Sequence, residues 1–261
     1  MDKKIHTGTE ELIATYNKGI VILTLNNPRY KNALSENLSP YLRRILKKIS
    51  KDSKYKLLVI RGSGDSFCSG GNIKGMKVKK NTTSTKKKVN DLINKQISLT
   101  GQIYSLKIPT IAVLTGAAAG AGFSLALACD IRIGNKDSFF ISNYSSIGLS
   151  GDYGISWFLS SLLGESKAKQ IMMLNERIYA DEAFKLGLLN FLFKTKFEEN
   201  VAEICNRISI QSSLAIKNIK NNIHAAKNNN LEKIFSLEAK NLIECINSKE
   251  HKIAVSKFLK K

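Results

Sequence analysis

The stretch Gly116-Ala-Ala-Ala-Gly-Ala-Gly-Phe-Ser-Leu-Ala-Leu-Ala-Cys-Asp130 joins a turn of glycine and alanine to an apolar run that is typical of a helix. The apolar strand Thr110-Ile-Ala-Val-Leu114 directly precedes it. A second glycine-rich turn, from Arg61 to Asn72, follows another predicted strand at residues 56–60. Strands that alternate with helices in this way are typical of α/β folds. The sequence therefore predicts an α/β protein in which two glycine turns each follow a buried strand.

Small-residue turns between a strand and a helix suit two kinds of chemistry. The segment Thr115–Gly122 resembles the glycine motif of short-chain dehydrogenases, which holds a pyrophosphate at a helix N-terminus. That motif belongs to the first strand of such a domain, whereas more than a hundred residues precede it here. The second kind is an oxyanion hole, in which N–H groups from both turns point at one carbonyl oxygen. Plain packing also explains such turns, so the oxyanion hole is a hypothesis at this point.

Composition excludes several classes of protein and leaves one unusual property, a strong positive charge. Hydrophobic residues make up 43% and charged residues 24%, which excludes collagen-like, mucin-like and wholly disordered chains. The formal net charge of +20 favours anionic partners. Because the lysines are spread along the whole chain, a solvated basic surface is favoured over a nucleic-acid face. We therefore expect no nucleic-acid partner.

The sequence also indicates the compartment and the absence of a metal site. No stretch is long and apolar enough to span a bilayer, and residues 1–5 lack the apolar core of a secretory signal. The cysteines show neither CxxC spacing nor a histidine at ligand distance: Cys68, Cys129, Cys205 and Cys245. We expect a cytoplasmic protein that is not in a membrane, with cysteines as core residues and no bound metal.

Hydrophobic periodicity and turn residues divide the chain into elements. Residues 10–25 predict a hairpin. Ser39 is predicted to cap a helix with Pro40 at its first position. The lysine-rich segment 77–90 predicts a loop, and a helix is expected over about 90–106. Helices dominate from residue 153 onward, and their apolar positions after residue 200 need a partner surface.

Several segments resemble, in order, the signatures of the crotonase (enoyl-CoA hydratase/isomerase) superfamily. They are Asn26-Asn-Pro-Arg-Tyr-Lys-Asn-Ala-Leu34, Gly64-Asp-Ser-Phe-Cys-Ser-Gly-Gly-Asn72, Gly116–Asp130, Ile147-Gly-Leu149, Gly164, Ala183-Phe-Lys-Leu-Gly-Leu188 and the terminal helix from Ser248 to Leu259. The resemblance covers nearly the whole chain. Between Gly116 and Trp157 it is closest to the isomerases, including the epoxyphenylacetyl-CoA type.

This resemblance implies a fold and a substrate class. The fold is a crotonase-like ββα spiral with two packed sheets and C-terminal helices that build a trimer, often as a dimer of trimers. Residues 1–199 would then bind acyl-CoA and carry out catalysis, and residues 200–261 would form the oligomerisation region. Because CoA is part of the thioester substrate, no separate cofactor is expected.

The resemblance also assigns the catalytic roles. The backbone N–H groups of Gly71 and Ala121 fall on the positions of the two oxyanion donors, and Ala121 stands where glycine is commonest. The two glutamates that family hydratases use are replaced by Ser124 and Tyr144. The carboxyl that serves as catalytic base in the isomerases falls on Asp152. On the residues alone, Asp152 could equally be a turn residue or an N-cap of the helix that follows.

Substrate contacts follow from the same resemblance. Asn72 replaces an aspartate that is usual at its position, which leaves backbone contacts unaffected. The expected contacts to CoA are the cationic Arg29 and Lys31, helped by Lys74, Lys77 and the lysines at 86–88, together with groups at Ala33, Ser69, Asn72 and Ile73. The expected contacts to the acyl group are Ser124, Tyr144 and Leu149, with an apolar lining of Phe123, Tyr153 and Trp157 that would raise the pKa of Asp152.

The favoured function is an isomerase that moves an acyl-CoA double bond from position 3 to position 2 through a thioester enolate. The close alternatives are a divergent enoyl-CoA hydratase, a hydrolase or a ring-opening enzyme that uses the same enolate. Two hypotheses of other classes stay open. One is an RNA-binding crotonase relative, motivated by the net charge of +20. The other is a catalytically inactive trimeric scaffold, motivated by the missing glutamates.

Overall fold

The computed structural model describes residues 2–71 and 84–259, and within them the chain forms eleven strands and eleven α-helices. The strands are β1 (Lys3–Ile5), β2 (Leu12–Asn17), β3 (Ile20–Leu25), β4 (Leu57–Gly62), β5 (Ser66–Cys68), β6 (Thr110–Leu114), β7 (Ala117–Ala119), β8 (Ile131–Gly134), β9 (Phe139–Ile141), β10 (Ile178–Tyr179) and β11 (Phe191–Leu192). The helices are α1 (Ser39–Ile49), α2 (Thr85–Gln96), α3 (Gln102–Ser105), α4 (Ala121–Leu127), α5 (Ile155–Leu163), α6 (Glu165–Leu174), α7 (Ala180–Lys185), α8 (Phe197–Ser209), α9 (Ser213–Ala226), α10 (Leu231–Ile246) and α11 (Lys249–Phe258).

Two sheets form the centre of the molecule. The large sheet has the order β1-β2-β3-β4-β6-β8-β11 and is parallel from β3 onward. The small sheet has the order β10-β9-β7-β5, and only β10 runs antiparallel to its neighbour. Three successive strand pairs (β4 with β5, β6 with β7, β8 with β9) place one member in each sheet. This repeated step is the ββα spiral that the family resemblance implies.

Side chains of the central strands point alternately to the two faces of the large sheet, which produces two hydrophobic layers. In β4, Leu58 and Ile60 point into the core between the sheets, whereas Leu57 and Val59 point to the opposite face. Successive side chains of a strand face opposite sides, so a strand that is apolar throughout needs cover on both. Helix α8 covers the outer face with residues such as Val201 and Ile204.

Two helix starts differ from the sequence prediction. Leu38 is the N-cap of α1 and no side chain caps this helix, so the predicted Ser39 cap is wrong. The amide of Leu38 donates to Ser35 Oγ at 3.0 Å in the turn before the helix. Ser39 already lies in the first helical turn. The predicted loop at 77–90 is also wrong in its last part, because Ser84 accepts a hydrogen bond from the amide of Lys87 and α2 begins at Thr85. The helix expected over 90–106 is α2 and α3, joined by a π-type turn at 97–101.

The C-terminal helices pack on the core through a partly buried ion pair. Lys220 Nζ of α9 lies 2.6 Å from Asp130 Oδ2 and 3.0 Å from the carbonyl oxygen of Ile108. The same carboxylate oxygen accepts the amide of Thr110 at 2.8 Å. The predicted boundary between residues 199 and 200 falls inside α8. In the parts of the chain that the structure describes, no helix combines the length and apolarity needed to cross a membrane.

Candidate active site

The two glycine turns meet at one edge of the small sheet. Strands β5 and β7 are parallel neighbours, so the turns that follow them leave the sheet side by side. Gly70 has φ +89°, and a Cβ there would lie 2.6 Å from the carbonyl oxygen of Ala119 and 3.1 Å from the amide nitrogen of Ala121. The backbones of the two turns are therefore in direct contact, and only glycine fits at position 70.

Both amides that the sequence singled out lie in this contact region. Ala121 is the first residue of α4, and the first N–H groups of a helix have no partner within it. The amides of Phe123 and Ser124 both donate to the carbonyl oxygen of Gly120, at 2.9 and 3.2 Å. Within residues 2–71 and 84–259, the N–H groups of Gly71 and Ala121 donate to no other backbone group outside regular helix and sheet hydrogen bonds.

A carboxyl group stands next to the second turn. The Tyr144 hydroxyl donates to Oδ1 of Asp152 at 2.6 Å, and Ser124 Oγ donates to the backbone carbonyl of Asp152 at 3.1 Å. A Cβ at Gly120 would lie 4.0 Å from the Tyr144 hydroxyl oxygen. The Asp152 side chain does not cap α5, which starts after Gly154 without a side-chain cap. One cluster around the N-terminus of α4 therefore contains four residues of the predicted site: Ala121, Ser124, Tyr144 and Asp152.

Burial and the Tyr144 hydrogen bond act on Asp152 in opposite directions. Partial burial raises the pKa of the Asp152 carboxyl, because it penalises the charged form. The hydrogen bond from Tyr144 lowers the pKa of the same group, because it stabilises the carboxylate. Burial, followed by the Asp152 charge, raises the pKa of Tyr144, so its hydroxyl stays a proton donor. The arrangement suits a carboxylate base held by a neutral phenol.

Cys68, at the end of β5, is not poised for nucleophilic catalysis. Burial raises the pKa of the Cys68 thiol to about 12. Because the thiolate is the nucleophilic form, a neutral buried thiol is unreactive at physiological pH. Nor do three histidine, cysteine, aspartate or glutamate side chains come together as a metal site within the residues that the structure describes.

A groove of about 370 Å³ runs from the first turn across the small sheet. The amide of Ser69 donates to the carbonyl oxygen of Lys31 at 2.9 Å, which attaches the first motif to the first turn. The groove is lined by the predicted residues Lys31, Ala33, Ser69 and Gly71 and also by Tyr30, Ala117, Ala119, Phe139, Ile141, Asn143 and Arg177.

Arg177 is the residue of this groove that sequence reasoning missed. Its guanidinium carbon lies 5.0 Å from the centre of the Phe139 ring, and its side chain forms no ion pair within the described ranges. Strand β10, which follows Arg177, has two residues and pairs with β9. A strand this short leaves no periodic signal, so only the sheet pairing reveals the position of Arg177.

Other predicted residues lie elsewhere. Arg29 is exposed next to Tyr30, 5.6 Å from its ring, and does not line the groove. Leu149 is 45% exposed, and the lysines at 86–88 are exposed on α2. The expected acyl-site lining is wrong for Phe123, which is fully buried against Phe140. Trp157 packs against Tyr104 and Phe158, while Asn72, Ile73, Lys74 and Lys77 lie outside the described residues.

Comparison with known proteins identifies the family. Residues 15–261 match the family model described as enoyl-CoA hydratase/isomerase. The chain belongs to this family. It is 29% identical over 244 residues to short-chain-enoyl-CoA hydratase from Clostridium acetobutylicum, covering 93% of this chain and 92% of the relative. It is 26% identical over 254 residues to 1,2-epoxyphenylacetyl-CoA isomerase from Escherichia coli, covering 97% and 96%.

Solved structures of the enoyl-CoA hydratase/isomerase family confirm the predicted fold class. The crystal structure of an enoyl-CoA hydratase from Polaromonas sp. JS666 superposes with a TM-score of 0.87 at 29% identity, over 95% of this chain and 96% of that chain. Named relatives include both hydratases and an isomerase. Membership of the family therefore does not decide between hydration and isomerisation.

Proposed function

We propose that this protein is an enoyl-CoA isomerase, which moves an acyl-CoA double bond from position 3 to position 2. The observation that carries the proposal is the Asp152 carboxyl, held by Tyr144 next to two contacting backbone turns. Ser124 and Tyr144 occupy the positions at which the resemblance places the glutamates of hydratases. Neither side chain supplies a carboxylate, whereas a double-bond shift needs one base that returns the proton it takes.

The proposed mechanism uses backbone donors and one carboxylate. The thioester carbonyl oxygen accepts hydrogen bonds from the N–H groups of Gly71 and Ala121. Asp152 removes the proton at C2, and the electron pair moves onto the carbonyl oxygen to form the enolate. The protonated carboxyl then delivers this proton to C4, so that the double bond lies between C2 and C3 and no atom is gained or lost. Donors of this kind contribute about 3–4 kcal/mol each to transition-state stabilisation.

The groove next to Gly71 is the proposed site of the CoA moiety. Lys31 and Arg177 both line it, and both carry the positive charge that CoA phosphates require. The net charge of +20 would speed the encounter with an anionic substrate. CoA enters as part of the substrate, and the mechanism requires no further cofactor.

The decisive experiment replaces Asp152 by Asn and measures double-bond migration in a 3-enoyl-CoA. A positioned general base typically contributes 10²–10⁴-fold, so we expect kcat of Asp152→Asn to fall by about that factor. The melting temperature should not fall, because asparagine can still accept the Tyr144 hydrogen bond and carries no charge to desolvate. The control is Asp137→Asn, an exposed aspartate between β8 and β9. Retained isomerisation in Asp152→Asn would reject the assignment.

Hydration is the second candidate, because the named relatives are mostly hydratases. A panel of 2-enoyl, 3-enoyl and aromatic acyl-CoA esters, followed by absorbance and product mass, separates the reactions. Isomerisation leaves the mass unchanged, whereas hydration adds one water and removes the conjugated absorbance. A protein that is inactive on the whole panel would support the scaffold or RNA-binding hypotheses instead. Filter binding to RNA over a salt series would then distinguish those two.

We also propose that the protein is a cytoplasmic homotrimer, alone or as a dimer of trimers, held together by its C-terminal helices. Large apolar side chains on these helices are more than half exposed in the single chain. They include Ile223, Leu231, Phe235, Leu242, Ile243 and Phe258. Contiguous exposed apolar surface is typical of an interaction site, and a second copy of the same chain offers a matching apolar surface.

A further inference from the structure

The contact between Tyr144 and Asp152 assigns a role that differs from the expected substrate contact. Tyr144 is 5% exposed, so its ring is fixed within the core. Its hydroxyl lies 2.6 Å from Oδ1 of Asp152. Within residues 2–71 and 84–259, Oδ2 of Asp152 accepts no hydrogen bond. One carboxylate oxygen is therefore held, and the other is left for a different partner.

Three further hydrogen bonds hold the backbone around Asp152. Ser124 Oγ donates to its backbone carbonyl at 3.1 Å, and that carbonyl also accepts the amide of Ile155 at 3.2 Å. The next residue, Tyr153, has φ +52°, and its amide donates to Gln96 Oε1 at 2.8 Å. A non-glycine residue in this region of φ is strained and persists only where its surroundings hold it. The backbone of the base is thus fixed, and Tyr144 fixes its side chain.

We propose that Tyr144 is a positioning residue, whose hydroxyl holds Oδ1 of Asp152 so that Oδ2 alone faces the acyl group at C2 and C4. This inference rests on the proposed isomerase function. A proton shuttle that serves two carbon atoms needs one oxygen in a constant place, because a freely rotating carboxyl would spend most of its time misaligned. Tyr144 therefore acts through Asp152 and itself exchanges no proton with the substrate.

The charged and titratable surroundings of Asp152 are few in the described part of the chain. Tyr144 binds it directly, and Tyr153 is its neighbour in sequence. The Arg43 guanidinium of α1 and the Cys68 thiol of β5 both lie near the Tyr153 hydroxyl. Burial, followed by the Asp152 charge, raises the pKa of Tyr153, and burial raises the pKa of Cys68 to about 12, so both stay neutral. Among these groups, Tyr144 is the one whose hydrogen bond lowers the pKa of Asp152.

The test is the pH dependence of kcat/KM and kcat in Tyr144→Phe. Loss of the hydrogen bond removes the effect that lowers the pKa of Asp152, so the acidic limb of kcat/KM should move to higher pH. The plateau of kcat above this limb should fall by about ten- to a hundredfold, because a lost bond to a charged group is worth that factor. KM should change less than twofold. A limb at the same pH, or an unchanged plateau, would overturn the inference.

Two further measurements keep the result independent of folding and of the proposed reaction. A fluorinated tyrosine at position 144 keeps the ring and is a stronger donor, so it should move the acidic limb to lower pH. Carbon-13 NMR of the Asp152 carboxyl in the wild type and in Tyr144→Phe measures the coupling without turnover. If the wild type does not isomerise 3-enoyl-CoA, the proposed function fails while this titration still tests the pair. If the Asp152 carboxyl titrates at the same pH in the wild type and in Tyr144→Phe, the positioning role of Tyr144 is rejected. The matched control is Tyr16→Phe on β2.

Discussion

At the residue scale, the proposed oxyanion donors are main-chain atoms, so the side chain at either position matters little. Ala121 shows this, since alanine stands where the family most often has glycine, yet its N–H still occupies the first helical position of α4. Position 121 therefore allows a substitution that removes the donor and leaves the helix intact. Proline serves this purpose, because it is well tolerated at the first helical position and has no N–H.

We expect Ala121→Pro to lower kcat for isomerisation by at least 10²–10³-fold, which is the cost of losing one oxyanion donor. The ring also occupies part of the space of the thioester oxygen, so the loss can exceed this range. The affinity for free CoA, which has no thioester, should stay within twofold by calorimetry. Lys249→Pro at the first position of α11 is the control for the substitution itself. An active Ala121→Pro would show that this amide is not a donor.

Sequence reasoning at this scale found the residues that sit within recognisable motifs and missed those that depend on sheet pairing. Both Gly71 and Ala121 lie in glycine turns after a strand, but only the family resemblance singled them out, and their role as oxyanion donors stays a prediction. The Tyr144–Asp152 contact joins residues eight positions apart, across a short 3-10 turn and positive φ values at Gly148 and Gly151, and no pattern predicts such a path. Phe123 was misplaced because an apolar residue in a short helix looks the same whether it faces a pocket or the core.

At the element scale, the groove depends on the shortest strands of the molecule. Strand β10 pairs antiparallel with β9, with Tyr179 opposite Phe139. Arg177 directly precedes β10, and its guanidinium carbon lies 5.0 Å from the centre of the Phe139 ring. Two strands of two and three residues thus carry one cationic side of the proposed CoA site. The guanidinium is exposed and lacks an acidic partner within the described residues, so it is available for a phosphate.

Arg177→Ala should raise KM for acyl-CoA by about fivefold to thirtyfold, while kcat changes less than twofold, since a charge-assisted hydrogen bond away from the reacting atoms is lost. With an acyl-pantetheine thioester, which lacks the nucleotide and its phosphates, the same variant should match the wild type. The matched control is Arg207→Ala, an exposed arginine of α8. An equal effect on both thioesters would place Arg177 outside the phosphate site.

Strands that show alternation or an apolar run could be predicted well, whereas the three-residue strands within the glycine turns could not. The hairpin β2–β3 and strands β4 and β6 follow from alternation and from apolar runs. Strands β5 and β7 lie inside the two glycine turns, and their three residues each are too few to show a hydrophobic period. The start of α2 was missed because a lysine run looks like a loop, although Ser84 is a good cap and lysine is a good helix former.

At the scale of the whole molecule, the single chain leaves an apolar surface uncovered. The helices after residue 200 were predicted, and so was their need for a partner. Side chains such as Phe235 and Ile243 are 59% and 56% exposed. The sequence alone could not show which positions face the core, because these helices carry apolar residues on more than one side.

The wild type should elute with a mass of three times 29.0 kDa, or a multiple of it, in size-exclusion chromatography with light scattering. Ile243→Glu should shift the mass toward 29.0 kDa, because burying an unpaired carboxylate in an apolar interface is costly. Lys185→Glu on α7 also introduces a carboxylate, at a site away from the C-terminal helices, and should leave the mass unchanged. A wild type that runs as a monomer would contradict the trimer.

The ion pair between Lys220 and Asp130 joins α9 to the start of β6, so we expect the residues before α9 to fold poorly without it. A fragment that stops before α9 would leave the Asp130 carboxylate without its cation at the point where Thr110 begins β6. Removing one partner of a buried pair typically costs about 3–5 kcal/mol, a large share of the stability of a whole domain. The last helices thus stabilise the large sheet. Truncated proteins that end before residue 220 should be insoluble.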